Sequence, residues 1–128
     1  MPSRRIAEHP KAPVAKHCDR PVDLVHLARH TLGDPELERE VLQLFVAKLP
    51  DYLGRLKEAN DAQSWRQAAH TIKGSARGVG AWQVAERAEA AERMAFDPDD
   101  ARCRHAIAAI EAGFEDASRF IRTLFSEH

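Results

Sequence analysis

The chain has 128 residues, 44% of them hydrophobic, the size and apolar content of one domain that buries a core without disulfides or a structural metal. Its 20 acidic and 19 basic residues nearly cancel, so no bulk field draws it to nucleic acid or an anionic membrane, and recognition by charge has to be local. No apolar run approaches the roughly 20 residues of a membrane-spanning helix, and the N-terminus lacks the apolar stretch of a signal peptide, so a cytoplasmic protein is expected.

Residues 1–20 hold Pro2, Pro10 and Pro13 among charged residues and show no apolar periodicity, which predicts a disordered leader before a domain spanning 21–128. Arg4 and Arg5 are followed by charge and proline, not by the apolar segment of a twin-arginine export signal. Cys18 and Cys103 stand far apart with no C-x-x-C neighbour, and are read as two reduced thiols, not a zinc site or redox pair. From Pro21 to Leu32 a short helix is predicted, with proline in its first turn, Gly33 as its stop, and Leu24, Leu27 and Ala28 inward.

Asp34-Pro35 is a cap and first-turn pair, and Leu37, Val41, Phe45, Leu49, Tyr52 and Leu56 then recur every three or four residues, predicting a second helix. Pro50 falls inside it and should kink it; one bent helix or two separate ones both fit. After a polar stretch with Asp61 or Ser64 as cap, Trp65, Ala69, Ile72, Ala76 and Val79 form the inward stripe of a third helix, which Gly78 and Gly80 should end. A fourth carries a face of small residues, Ala81, Val84 or Ala85, Ala88, Ala91 and Ala95. Beyond Asp97-Pro98-Asp99-Asp100 a fifth carries Cys103, Ile107, Ile110, Phe114, Ala117, Ile121 and Leu124. No strand-like alternation competes, so the class is all-α: an antiparallel up-and-down four-helix bundle with the short first helix laid across one end.

On the third helix the polar residues are informative. Arg66, His70, Lys73, Gly74 and Arg77 fall on the side opposite Trp65, Ala69, Ile72 and Ala76, so His70 should face solvent with Lys73 and Gly74 one turn away and Arg77 two turns away. An imidazole in water is mostly the uncharged nucleophile at neutral pH and can attack phosphorus. Lys73 can offset the charge of a phosphoryl group on the ring, helped by Arg66 or Arg77. Gly74 costs a helix about 1 kcal/mol relative to alanine, and on a polar face no core packing demands it. Taken singly these are a surface histidine, a solvated face and a weak point; their joint spacing leaves room beside the imidazole for another protein's active site.

The stretch Ala69-His-Thr-Ile-Lys-Gly-Ser-Ala-Arg-Gly-Val-Gly-Ala closely resembles the signature A-H-x-L-K-G-x-x-x-x-x-G of histidine-containing phosphotransfer (HPt) domains. His70, Lys73, Gly74 and Gly80 match by type and spacing, Ile72 replaces leucine, and the likeness extends over residues 22 to about 126. It implies a carrier in a multistep His-Asp phosphorelay, with His70 as phosphoacceptor, Lys73 stabilising phosphoryl charge, Gly74 giving steric clearance, Arg66, Arg77 and Gly74 meeting the partner, and Gly80 structural. It further implies receiver domains and a hybrid sensor histidine kinase as partners, Mg²⁺ bound by the receiver, and no cofactor or metal on this chain. The sequence agrees in offering no acidic cluster beside His70 and no Gly-rich phosphate loop, so autokinase activity is not expected.

Two other readings compete. A plain helical interaction module predicts that His70→Gln leaves function intact. A histidine-kinase dimerisation bundle usually places an acidic residue right after the histidine, where Thr71 stands here, and forms from two hairpins; a monomer is expected instead. His26 and His30, one turn apart, are a candidate metal pair without a third ligand in sequence, and His9, His17, His105 and His128 give no pattern. Trp82 and Phe96 are read as packing at the bundle ends or at the rim of a docking surface.

Overall fold

The structure, a computed structural model, describes residues 20–126. The leader assigned to residues 1–20 therefore lies outside the described residues except for Arg20, together with Arg4, Arg5, His9, His17 and Cys18; so does His128. Five helices follow one another: α1 Leu24–Thr31, α2 Pro35–Lys57, α3 Ala62–Val79, α4 Trp82–Arg93 and α5 Ala101–Ser126, with no strand among the described residues.

Local chemistry fixes the helix ends. Asp23, not Pro21, opens α1, its carboxylate accepting from the His26 N–H at 3.1 Å, and Leu32 and Gly33 close it in consecutive left-handed conformations, φ 55° and 77°. Val22, just ahead of the cap, is fully buried, an anchor the sequence reading passed over. Asp34 accepts from the N–H groups of Glu36 and Leu37, and Pro35 occupies the first position, where a missing N–H is no loss. Asp61 and Ser64, alternatives in the sequence, act together as a capping box on α3. Gly80 is the left-handed cap at the other end, φ 81°, whereas Gly78 lies within the helix. Asp100 accepts from the Arg102 N–H at 2.9 Å to start α5.

Helix α2 runs unbroken through Pro50, so it is one helix. Its core face is Leu42, Phe45, Leu49, Leu53 and Leu56; Leu37 is exposed, and Val41 and Tyr52 are only partly covered. The predicted stripe mixed two apolar faces, because Leu37, Val41 and Leu44 repeat with helical spacing beside the true core stripe. In α4 the small face is Val84, Ala85, Ala88 and Ala91, with Ala95 beyond the end and exposed. In α5, Ile107, Phe114 and Leu124 pack at the margin of a core formed by Cys103, Ile110, Ala117 and Ile121.

Helix α3 packs between α2 and α4, α5 closes against α4 and α2, and α1 lies on α2 and α3. The small residues of α4 let it approach α3 closely, and the Trp65 indole crosses the seam, fully buried, donating to the Ala91 carbonyl at 2.7 Å with Phe96 against its ring. At the other end of α3 the Trp82 indole donates to Asp23 at 2.9 Å, and the Asp23 N–H donates to the Gly80 carbonyl at 2.9 Å. Both large aromatics thus serve packing. No described helix is long and apolar enough to cross a membrane.

Candidate functional site

The capping box of α3 sets its phase, and burial of Trp65, Ala69, Ile72 and Ala76 turns His70 outward, with its side chain 67% exposed. The ring is not unsupported. Nδ1 lies 3.0 Å from Oε2 of Glu92 on α4, and no described residue hydrogen-bonds Nε2.

Lys73 departs from the sequence reading. Its side chain is only 14% exposed, drawn between α3 and α4, where Nζ sits 2.7 Å from Oε1 of Glu92. One carboxylate therefore bridges both cation-capable groups, one oxygen to each. Lys73 holds the Glu92 carboxyl below the ordinary carboxylate value, with burial opposing and the His70 bond adding to the effect. Glu92 went unnoticed in the sequence because α4 carries Glu86, Glu89 and Glu92 at intervals of three, and only the register of α4 against α3 selects one.

Arg66 is exposed on the His70 face, and Arg77 is half exposed, 3.5 Å from Glu89, which also holds Arg93 at 2.9 Å. Gly74 is exposed, and a Cβ built there meets nothing within 4 Å; the same holds for Gly78 one turn on. Gly80 is the opposite case, since a Cβ would stand 2.9 Å from the Asp23 carbonyl oxygen in a backbone already at φ 81°. The clearance at Gly74 and Gly78 is thus not used by any described residue. It opens onto a groove of about 310 Å³ between α2 and α3, lined among others by Val41, Leu44, Lys48 and Tyr52, with Leu44 58% exposed.

His26 and His30 are committed elsewhere. Nε2 of His26 lies 2.9 Å from the Arg77 carbonyl and Nδ1 of His30 lies 3.0 Å from the His26 carbonyl, so each ring donates to a backbone oxygen. No group of three or more metal-ligating side chains occurs among the described residues.

The site is a solvent-facing histidine paired to a carboxylate on an all-helical scaffold, with open space beside it among the described residues. The family model of the Hpt domain matches residues 40–120, well over half of the chain, and the chain belongs to that family. Its members are phosphocarriers of His-Asp phosphorelays, not catalytic enzymes, and work with receiver domains and kinases. Comparison with curated proteins and with solved structures gave no match.

Proposed function

We propose that this chain accepts a phosphoryl group on His70 from an aspartyl phosphate of one receiver domain, such as that of a hybrid sensor kinase, and returns it to the aspartate of another. The observation that carries the reading is the pairing of an outward imidazole, whose Nε2 no described residue hydrogen-bonds, with two helical glycines whose missing side chains no described residue requires. Each glycine costs α3 about 1 kcal/mol relative to alanine. A docking partner is what gains from the space.

In this reading the receiver's acyl phosphate approaches over Gly74, with the α2–α3 groove and exposed Leu44 taking apolar contacts and Arg66, Arg77 and Lys48 at the rim. Lys73 offsets the charge of the transferring group, and Mg²⁺ arrives with the receiver. The long helices α2 to α5 form an antiparallel bundle with α1 across one end, and a core enclosed by the helices of one chain supports a monomeric carrier over a dimerising kinase hairpin.

The test is to incubate the purified chain with a phosphorylated receiver and follow acid-labile, base-stable phosphate. Transfer to the wild type and none to His70→Gln is expected. Equal labelling of the mutant contradicts the assignment and returns the chain to the class of plain interaction modules.

A further inference from the structure

We propose that Glu89 of α4 parks the Arg77 guanidinium in the free chain and yields it to an acidic side chain of the docking receiver, so that this exchangeable ion pair sets how tightly a receiver docks. The inference rests on the carrier reading and adds how one docking cation is kept ready.

The backbone and the side chain of Arg77 are held very differently. Its carbonyl accepts from the Gly80 N–H at 3.2 Å and from the His26 ring at 2.9 Å, which fixes the point where the side chain leaves α3. The side chain itself is 52% exposed and meets Glu89 at 3.5 Å, the outer limit of a hydrogen bond. Lys73 shows the contrast, being 14% exposed and 2.7 Å from Glu92. Glu89 and Glu92, one turn apart on α4, thus hold two cations of α3, the one beside His70 tightly and the outer one loosely.

Glu89 also loses little when Arg77 leaves. Its other oxygen accepts from Arg93, four residues on along α4, at 2.9 Å. The carboxylate keeps that cation throughout, and the guanidinium that departs belongs to the helix that lines the docking groove through Gly74 and Gly78. Exposed ion pairs contribute little and are weakened by salt, so the exchange is close to balance and a modest gain at the partner decides it.

What the receiver has to supply follows from the groove. Among the described residues its lining includes Lys48 and no acidic side chain, and Arg66 stands exposed on the His70 face. A partner that seats apolar side chains there meets cations at the edges, so the matching group is a carboxylate beside its apolar face. A receiver with a neutral residue at that point leaves Arg77 on Glu89 and buries no unpaired charge. The parked arginine therefore grades receivers by affinity without excluding any, which suits a carrier that docks first with a donor and then with an acceptor.

The probe is a receiver domain that labels wild type and not His70→Gln. Single-turnover transfer to the full chain is followed against receiver concentration, with thermal unfolding as the check that each variant is folded. Arg77→Ala should raise the half-saturating concentration about threefold and Glu89→Gln should lower it about twofold, the scale of exposed ion pairs, with smaller effects on the maximal rate. In the double variant the gain from Glu89→Gln should vanish, because no guanidinium remains to be released. Glu86→Gln, the same charge change on an exposed side chain of α4, should not reproduce that gain. Weaker or unchanged docking in Glu89→Gln overturns the proposal, as does an equal gain in the Arg77→Ala background or from Glu86→Gln. So does Arg77→Ala that docks like wild type. If phosphorylated receivers label no histidine of the wild type, the carrier reading falls and takes this inference with it. Labelling of His70 without these shifts in half-saturation sinks the inference alone.

Discussion

Four glycines in this chain show how one residue type answers to different demands. Gly80 and Gly113 are required from within: the first is left-handed against Asp23, and a Cβ on the second would meet the Arg87 guanidinium at 3.0 Å and Val84 at 3.3 Å. Gly74 and Gly78 are helical with open space where a Cβ would go. Alanine at Gly74 should therefore stabilise the fold by up to about 1 kcal/mol, a rise in Tm of about 4 °C, while Gly80→Ala should lower it. Thermal unfolding of the two variants checks this, and a loss of stability in Gly74→Ala would count against the clearance argument. Leucine at Gly74 or Gly78 should slow transfer several-fold without loss of helical content, read by single-turnover kinetics with a phosphorylated receiver. Lys73→Ala should likewise slow transfer with the fold intact; collapse of the helix signal would make Lys73 structural. The placement of His70, Lys73 and Gly74 on one helix was legible from their spacing, whereas Glu92 enters from a neighbouring helix whose register no local spacing encodes.

At the level of elements, α1 is held by a latch of few parts. The Asp23 carboxylate caps its own helix through the His26 N–H and accepts from the Trp82 indole, while its backbone N–H reaches the Gly80 carbonyl. The His26 ring then caps the end of α3 at the Arg77 carbonyl and lies edge-on to Trp82, with ring centres 4.8 Å apart. Asp23→Ala removes the cap and the indole's acceptor together, and should cost about 1–2 kcal/mol with a change in Trp82 fluorescence. Unchanged emission and unfolding midpoint would show that α1 docks by apolar burial alone. The sequence announced α1 by its Leu24 and Leu27, but not the latch, because Asp23, Gly80 and Trp82 meet only after α3 and α4 are in place. For α2 the difficulty was excess signal. Core residues Leu42, Leu49 and Leu53 and groove residues Val41 and Leu44 both repeat helically, and periodicity alone does not say which face the bundle covers.

Across the whole molecule, an all-helical class was legible from long three-and-four patterns broken by Gly33, Asp61, Gly80 and Asp97-Pro98. Carboxylates held by local hydrogen bonds and ion pairs link stability to pH. Asp23, with the Trp82 bond as the largest cause, and Glu92, with Lys73 as the largest, both titrate below their ordinary values of 3.8 and 4.5. The unfolded chain therefore binds more protons in that range, so their contribution is complete above about pH 4.5 and is lost as pH falls through the folded values. Urea midpoints from pH 7 to 3 should fall below pH 4.5, with the drop reduced in Glu92→Gln; an equal drop in the variant would remove Glu92 from the account.

The central claim concerns one nitrogen, and locating the phosphate tests it most directly. ³¹P–¹⁵N correlation in the phosphorylated chain should place phosphorus on Nε2 of His70. Phosphate on His26, His30 or His105, or on Nδ1 of His70 where Glu92 now stands, would contradict it.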